Sequence, residues 1–461
     1  MNDSFVPLDL PSEGLLIWEQ PGFPQTDYAA FVLLGRLDPG AMDDALAGVL
    51  ATRPTFTSRL VWRRIGWSMR PVWIDGPPGR PGFARRDFRA ERAPADLEDW
   101  VHDKMKPVTT RIQDLATEPP IAFELWHIDD ERWVLVIVFH HVATDGGGLY
   151  DVLRELFARY HERVMGMRPS WADVAGIHAQ VGSSPPIAPV STPRMVLRTL
   201  RMDQDYPGSQ VAQPWGSSDR PSGRRMIRYR YDDPALLRGL RRRAARSGGS
   251  MTDLCLAASK LAIEEWNRAH GADADVFLHG FAVNQRARRP AAQIEGQGNP
   301  MSGFAIPSRA VERRNPETVL QLVIARRKAG MDQGYDIAMS EMGRKLQRIG
   351  LALPRSGRYT ALRTIFDRKI SFFLTNLGVV WPVIRDGRPT GETAIREVGR
   401  AVLHDVHSSV GGTANNPAAM ILRTFLGRFY MVFTLGGQRF RDDEARGFAD
   451  TVVRRVFDWL D

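Results

Sequence analysis

Cysteine, lysine and long apolar runs are scarce in this sequence, and each scarcity excludes a class of protein. The single cysteine, Cys255, excludes an internal disulfide, favours a reducing compartment and is expected to be a small core residue of a helix. No uninterrupted apolar run approaches the roughly 20 residues that a membrane-spanning helix needs. The segment 1–7 lacks the basic and apolar regions of a signal peptide, so we expect a cytoplasmic protein.

Arginine supplies nearly all of the positive charge and is unevenly distributed. The net charge is +9, and lysine occurs only six times. Between Arg194 and Arg246 there are thirteen arginines, five aspartates and no glutamate. No nucleic-acid-binding module accompanies them, so we do not expect nucleic acid as a partner. An acidic carrier protein, the phosphates of coenzyme A or an anionic membrane surface fits better, and a solvated arginine-rich face is the structural alternative.

Size and element order predict two similar halves. The chain has 461 residues, of which 43% are hydrophobic, enough for two domains of ordinary size. Strand and helix patterns fill residues 1–180 and 223–461, whereas residues 181–222 are rich in proline, glycine and serine and form the predicted linker. Residues 193–202 within it have the pattern of a basic amphipathic helix, which would pack on its own protein or contact a membrane surface or carrier protein.

The most informative stretch is an apolar run, 133–139, that leads into His140 and His141. Asp145 and three glycines follow, and then a helical pattern begins. Neighbouring strand residues point to opposite faces, so the two histidines should have different environments. A neutral imidazole in a cleft is the usual general base near pH 7, although a histidine pair also suits a purely structural role. No second ligand pair has the spacing of a zinc site.

The string His-His-x-x-x-Asp-Gly at 140–146 resembles the signature of the chloramphenicol acetyltransferase-like superfamily. That superfamily includes condensation domains of nonribosomal peptide synthetases, polyketide-associated acyltransferases, wax ester synthases and the plant BAHD acyltransferases. Residues 283–286 with Gly298-Asn299 are similar to its Val-Asn-x-Arg and Gly-Asn segments, and residues 375–378 are similar to its Asn-x-Gly stretch. The resemblance covers essentially the whole chain. The Asp-Phe-Gly-Trp-Gly motif of the plant enzymes is absent, which disfavours that branch.

This resemblance implies an α/β (α+β) fold and an acyl-transfer activity. The fold has two pseudo-symmetric sandwich halves, each a mixed sheet with helices, and an active-site tunnel between them. An acyl thioester, carried on coenzyme A or on a phosphopantetheinyl carrier protein, would enter one mouth and a hydroxyl or amine the other. We expect no tightly bound cofactor and no metal. We also expect no covalent acyl-enzyme, because no serine or cysteine stands beside the histidines in a triad-like string.

The resemblance also assigns roles to individual residues. His141 would be the general base and His140 its structural support. Arg286 would pair with Asp145, which would then hold the loop instead of acting as charge partner of the imidazole. The backbone amide of Gly146 and the side chain of Asn376 are alternative donors to an oxyanion. The predicted tunnel lining adds Thr144, Gly147, Asn284, Thr375 and Gly378.

Two classes of function follow from these expectations. The first is a free-standing acyltransferase acting on a small molecule or lipid, with a hydroxyl acceptor preferred and an amine acceptor, as in peptide condensation, close behind. No phosphate loop or carrier-type serine site indicates an adenylation or carrier domain. The second is a non-catalytic docking module, which the intact His141, Asp145 and Gly146 disfavour. An acyl- or peptidyl-carrier protein is the candidate partner, and a monomer suffices for catalysis.

Overall fold

The structure is a computed structural model that describes most of the chain. It covers residues 5–8, 10–19, 23–65, 68–75, 83–91, 97–172, 211–218, 223–287, 301–337, 369–386, 388–409, 411–413 and 415–460. Most of the predicted linker, the basic helix predicted at 193–202, and the Gly298-Asn299 segment lie outside the described residues. The linker boundaries therefore stay a prediction.

The helices begin at the capping signals that the sequence contains. Asp38, Asp233 and Asn315 each accept hydrogen bonds from the first backbone amides of a helix that starts with proline. Ser250 and Asp253 form a reciprocal capping box. The helices of the described residues are α1 (Leu10–Trp18), α2 (Pro39–Leu50), α3 (Leu97–Thr109), α4 (Gly146–Met165), α5 (Pro234–Arg246), α6 (Met251–Ala269), α7 (Pro316–Asp332) and α8 (Asp442–Phe457).

Strands and helices are interspersed along the sequence, and a run of seven strands precedes the last helix. The strands are β1 (Phe5–Pro7), β2 (Thr26–Gly35), β3 (Arg59–Ile65), β4 (Ser68–Ile74), β5 (Ala84–Asp87), β6 (Ile121–His127), β7 (Arg132–His140), β8 (Arg224–Tyr231), β9 (Val276–Asn284), β10 (Met301–Arg309), β11 (Phe372–Val379), β12 (Pro382–Arg385), β13 (Arg388–Thr393), β14 (Glu397–Val398), β15 (Ala401–Ser408), β16 (Ala418–Phe425) and β17 (Arg428–Gly436). The residue patterns at 58–74 and 121–140 predict two hairpins, and the antiparallel pairs β3–β4 and β6–β7 confirm them.

Two six-stranded mixed sheets form the framework, which confirms the predicted α/β fold. The first sheet has the order β14-β15-β2-β7-β6-β5, and the second has the order β10-β9-β11-β16-β17-β8. Smaller sheets, β1-β4-β3 and β12-β13, lie beside them. β14 and β15 come from the second half of the sequence but complete the first sheet, because β15 pairs along the edge of β2 that β7 leaves open. The halves in space therefore differ from the halves in sequence.

Each large sheet has its own hydrophobic core. β2 is buried along most of its length, with both faces covered, which explains why its sequence is continuously apolar rather than alternating. Trp381, from the second half of the sequence, stacks on Phe31 of β2 and donates its indole N–H to the Tyr150 carbonyl at 2.9 Å. Cys255 is fully buried in the second core, as predicted. None of the described helices is long and apolar enough to cross a bilayer.

Two predicted elements differ in the structure. The residue pattern over 394–403 predicts one strand, but a turn at Gly399, whose φ of +62° favours glycine, divides this stretch into β14 and β15. The apolar run at 370–374 predicts a strand that ends before the motif at 375–378, but β11 continues to Val379, so the motif lies within the strand. The pairing of β11 with β16 is irregular between Asn376 and Val379, which lets this segment leave regular sheet geometry at the point where it carries the predicted motif.

Candidate active site

The two histidines at the end of β7 have different environments. The His140 side chain is fully buried; its Nε2 lies 3.1 Å from Glu19 Oε1, and its Nδ1 accepts a hydrogen bond from the backbone amide of Val142. His141 begins the following turn, and its backbone amide donates to the Gln25 carbonyl on β2 at 2.9 Å. Its side chain is 16% exposed and lies on the wall of a cavity. Both ring nitrogens of His140 are engaged, which fits a supporting position.

Asp145 fixes the loop after the histidines. Its Oδ1 accepts a hydrogen bond from the Gly148 amide at 2.7 Å, so it caps α4. Its Oδ2 accepts from Arg286 Nη1 at 2.6 Å, the pairing that the resemblance implies. A Cβ atom on Gly148 would collide with Thr144 Oγ1 and would lie 3.2 Å from Arg286 Nη2. This glycine therefore lets the guanidinium approach the helix start closely.

The carboxylate next to His141 is Asp27, which sequence reasoning missed. Asp27 lies on β2, its side chain is fully buried, and its Oδ2 is 3.1 Å from His141 Nε2. Its Oδ1 accepts from Arg224 Nη1 at 3.0 Å and from Ser409 Oγ at 2.8 Å. The one signal in the sequence is an aspartate at the start of an otherwise apolar strand. The contact itself depends on the pairing of β2 with β7, which no local pattern specifies.

Asp27 carries a negative charge at neutral pH. Burial raises its pKa, but the Arg224 guanidinium and the contact with His141 outweigh burial, so the pKa of Asp27 lies below its ordinary value. Arg224 is equally buried, with 2% of its side chain exposed. Removal of one member of such a buried pair leaves the other charge without compensation, which typically costs about 3–5 kcal/mol.

A cavity of about 530 Å³ lies between the two large sheets at His141. Its apolar walls come from both sheets and include Phe139, Phe281, Phe373 and Ile421. Eight of the predicted site residues line it: His141, Asp145, Gly146, Gly147, Asn284, Thr375, Asn376 and Gly378.

Thr144 does not line this cavity, which corrects its assignment as a tunnel residue. Its side chain is 2% exposed, and its hydroxyl donates to the Asp145 carbonyl at 3.2 Å. Thr144 turns inward because it packs beneath Gly148. Arg286 and His140 also lie behind the wall, where their contacts are with Asp145 and Glu19 respectively.

Two candidate oxyanion donors stand on the cavity wall. The Asn376 carboxamide donates from Nδ2 to Thr252 Oγ1 at 3.1 Å and accepts from the Gly378 amide at 2.9 Å, which fixes its orientation. Gly378 has a φ of +66°, a left-handed conformation that favours glycine. Gly146 is the first residue of α4, and the first amides of a helix have no intrahelical partner. Both groups can therefore offer an N–H to an oxygen in the cavity.

Comparison with proteins of known sequence finds relatives among peptide synthetases. A segment of 176 residues is 29% identical to an isonitrile lipopeptide synthase of Mycobacterium tuberculosis and covers 36% of this chain and 6% of that protein. A segment of 143 residues is 39% identical to a probable non-canonical nonribosomal peptide synthetase of Salinispora arenicola and covers 30% of this chain and 2% of that protein. The matches thus span a small part of these relatives. No family model matches the chain.

Solved structures share the whole fold. The first condensation domain of the calcium-dependent antibiotic synthetase, solved with a substrate analogue, has a TM-score of 0.69 at 15% identity and covers 99% of this chain and 96% of its own. The starter condensation domain of rhizomide synthetase, a variant solved with C8-CoA and Leu-SNAC, has a TM-score of 0.67 at 14% identity. The match covers 99% of this chain and 94% of that domain. The chain therefore has the condensation-domain fold. The predicted fold is confirmed, and segments of the sequence are similar to peptide synthetases, the group to which the condensation domains named in the resemblance belong.

Proposed function

We propose that this protein is an acyltransferase that moves an acyl group from a thioester to an acceptor in the cavity, with His141 as general base. The observation that carries the proposal is the position of His141. It lies on the wall of a cavity between two sheets of the condensation-domain fold, 3.1 Å from the buried carboxylate of Asp27. A carboxylate beside an imidazole orients the ring and stabilises the charge that the ring gains with a proton.

The proposed reaction needs no covalent enzyme intermediate. The acceptor oxygen or nitrogen attacks the thioester carbonyl while His141 takes the acceptor proton. The carbonyl oxygen gains negative charge, which the Asn376 carboxamide or the Gly146 amide stabilises. The carbon–sulfur bond then breaks, and the thiolate leaves with the proton from His141. General-base assistance of this kind contributes about 10²–10⁴-fold, and holding both reactants in one cavity contributes further.

The acceptor and the donor are part of the same proposal. The sequence favoured a hydroxyl acceptor over an amine, but the relatives are named as peptide synthetases, and one structural neighbour was solved with Leu-SNAC. These names support an amine acceptor and amide formation, and a hydroxyl acceptor becomes the alternative. The same neighbour was solved with C8-CoA. The apolar walls of the cavity support an apolar acyl group, carried on coenzyme A or on a carrier protein.

Thiol release with product identification tests the function. The purified protein is incubated with a panel of acyl-coenzyme A thioesters and of acyl groups loaded on carrier proteins, each with mixed amines and alcohols. We expect free thiol to appear only when donor and acceptor are both present, and the product mass to identify an amide or an ester. If no donor in either form releases thiol, the chain is a docking module that retains the fold and not an acyltransferase.

A further inference from the structure

We propose that Arg327 is a specificity-determining residue that binds an amide carbonyl of the thioester substrate through its Nη1 nitrogen. This inference rests on the proposed function, since it concerns the substrate of that reaction. Of the arginines and lysines among the described residues, Arg327 alone lines the cavity. Its side chain is 21% exposed, so a molecule in the cavity can reach it.

Asp253 holds the guanidinium of Arg327 in one orientation. Arg327 Nε and Nη2 donate to the two carboxylate oxygens, and Nη2 lies 2.9 Å from Oδ2. The carboxylate is itself fixed, because Oδ2 also accepts from the Ser250 amide at 2.7 Å and from the Ser250 hydroxyl at 2.8 Å. A planar guanidinium with two nitrogens on one carboxylate directs its third nitrogen away from that carboxylate. Nη1 has no recorded hydrogen bond within the described ranges, so its two N–H groups are available to a ligand.

The charge of the pair determines which kind of oxygen it suits. The side chain of Asp253 is fully buried, and its carboxylate compensates the guanidinium of Arg327. A carboxylate or phosphate of the ligand would therefore gain little net attraction here. An uncharged carbonyl oxygen needs only a donor, and a hydrogen bond from an ionised donor is stronger than one between neutral groups. Amide carbonyls of this kind occur in the pantetheine arm of a thioester and in a peptidyl acyl group.

Arg327 lies close to the candidate oxyanion donor Asn376. Both side chains are anchored at the first turn of α6, since Arg327 pairs with Asp253 and Asn376 Nδ2 donates to Thr252 Oγ1 at 3.1 Å. Met331, one turn further along α7, also lines the cavity and adds an apolar surface on the same helix face. One substrate can therefore place its thioester carbonyl at Asn376 and an amide carbonyl at Arg327.

Calorimetric binding of thioether analogues tests the inference without acyl transfer, because a thioether has no carbonyl to attack. The probes are S-octyl N-acetylcysteamine, with an amide on the thiol side; a hydroxyethyl thioether with an amide in its alkyl chain; S-octyl mercaptoethanol, without an amide; and S-octyl mercaptoacetate, a carboxylate. We expect an amide probe to bind at least about tenfold more tightly than the alcohol. Tight binding of the first probe identifies the thiol arm as the source of the amide, and tight binding of the second identifies the acyl group.

Two results of this series overturn the inference. The first is that neither amide probe binds more tightly than the alcohol probe. The second is that the carboxylate probe binds most tightly, because the site would then select an anion in spite of the charge that Asp253 compensates.

Substitution of Arg327 assigns the effect to its side chain. Arg327→Lys keeps a cation beside Asp253 but removes the third nitrogen, so we expect the affinity for the tighter amide probe to fall about tenfold to 100-fold. The affinity for the alcohol probe should stay within about twofold. Arg326→Lys is the matched control, because Arg326 is the adjacent arginine of α7 and pairs with Glu312 outside the cavity lining. It should change neither affinity.

A merely structural role of Arg327 would weaken the binding of both probes equally, and that result contradicts the inference. If Arg327→Lys does not fold, the probe series with the natural protein decides. Amide-dependent binding without acyl transfer contradicts only the proposed function. Acyl transfer whose kcat/KM is the same for thioesters with and without an amide contradicts only this inference.

Discussion

Two buried clusters of this protein contain the same three residue types and use them in opposite ways. The cavity cluster comprises Asp27, Arg224 and His141; the interior cluster comprises Asp405, Arg228 and His407. In the cavity cluster the imidazole faces the carboxylate, at 3.1 Å. In the interior cluster His407 Nδ1 faces the guanidinium of Arg228, at 2.8 Å, while Asp405 binds Arg228 from another side.

The group that each ring faces determines whether its protonated form is favoured or disfavoured. Burial and the neighbouring Arg228 lower the pKa of His407 to about 3, so its ring stays neutral and accepts a hydrogen bond from the guanidinium. His141 instead has an anion beside it and an open cavity wall. The residue types in a cluster therefore do not distinguish the two histidines. They differ in the group that the ring faces and in whether the ring lines a cavity.

Substitution of His141 should have the largest effect on activity. His141→Ala removes the proposed base, so we expect kcat to fall at least 10²-fold while the fold is retained, because the side chain lies on a cavity wall. His407→Gln is the matched control in the interior cluster and should keep the natural rate at pH 7.5. Initial rates of thiol release and thermal unfolding of both variants make the comparison. Equal rates for His141→Ala and the natural protein would contradict the base assignment.

Loss of Arg286 should have the next largest effect, and it acts mainly on stability. Arg286→Ala leaves Asp145 at the start of α4 without its cation, so we expect the free energy of unfolding to fall by about 2–3 kcal/mol, and activity to fall with it. Arg385→Ala is the control, because Arg385 pairs with Glu392 on the surface. The exposed fractions of the two side chains are 66% and 54%. Urea unfolding should show less than about 0.5 kcal/mol for that variant. Equal losses would remove the distinction between the two pairs.

Acidification should destabilise the protein through the interior cluster. The pKa of His407 is lower in the folded chain than in the unfolded chain, so protonation favours unfolding. The neutral ring of His407 contributes fully to the free energy of unfolding above about pH 6.5. This contribution is lost as the pH falls toward 3, by up to about 1.4 kcal/mol per pH unit. The lowered pKa of Asp27 adds a loss below about pH 4. Urea unfolding between pH 7.5 and 5 should show a weaker pH dependence in His407→Gln; an identical slope would contradict this account.

The smallest effect is expected from Asp145→Asn. Asparagine caps a helix about as well as aspartate, so α4 should keep its start, but the Nδ2 donor that replaces Oδ2 cannot accept the bond from Arg286. We expect a loss of about 1 kcal/mol in the free energy of unfolding and no change in the pH dependence of kcat. A shifted pH profile in this variant would show that Asp145, and not Asp27, acts on the ring.

The sequence predicted local structure well because caps and apolar periods are local signals. Asp233, Ser250 and the strand before His140 all behave as their patterns indicate. The Arg286–Asp145 contact also followed from a motif. Asp27 could not be predicted in this way, since its partners come from β7, β8 and the end of β15.

The crossover of β15 into the first sheet had no local signal either. β15 is buried along most of its length, as a strand of either sheet would be. Only its pairing with β2 distinguishes the two sheets, and that pairing joins residues more than 360 positions apart. Thr144 was misplaced for a related reason. Its neighbours in sequence line the cavity, but the turn into α4 directs its side chain beneath Gly148.

The most direct test of the account is acceptor-dependent thiol release by the natural protein, His141→Ala and His407→Gln in parallel, with the product mass measured in the same reactions. The account predicts release and one acylated product with the natural protein and with His407→Gln, and loss of both with His141→Ala. Release that persists in His141→Ala, or that stops equally in both variants, would contradict the claim that the histidine on the cavity wall performs the chemistry.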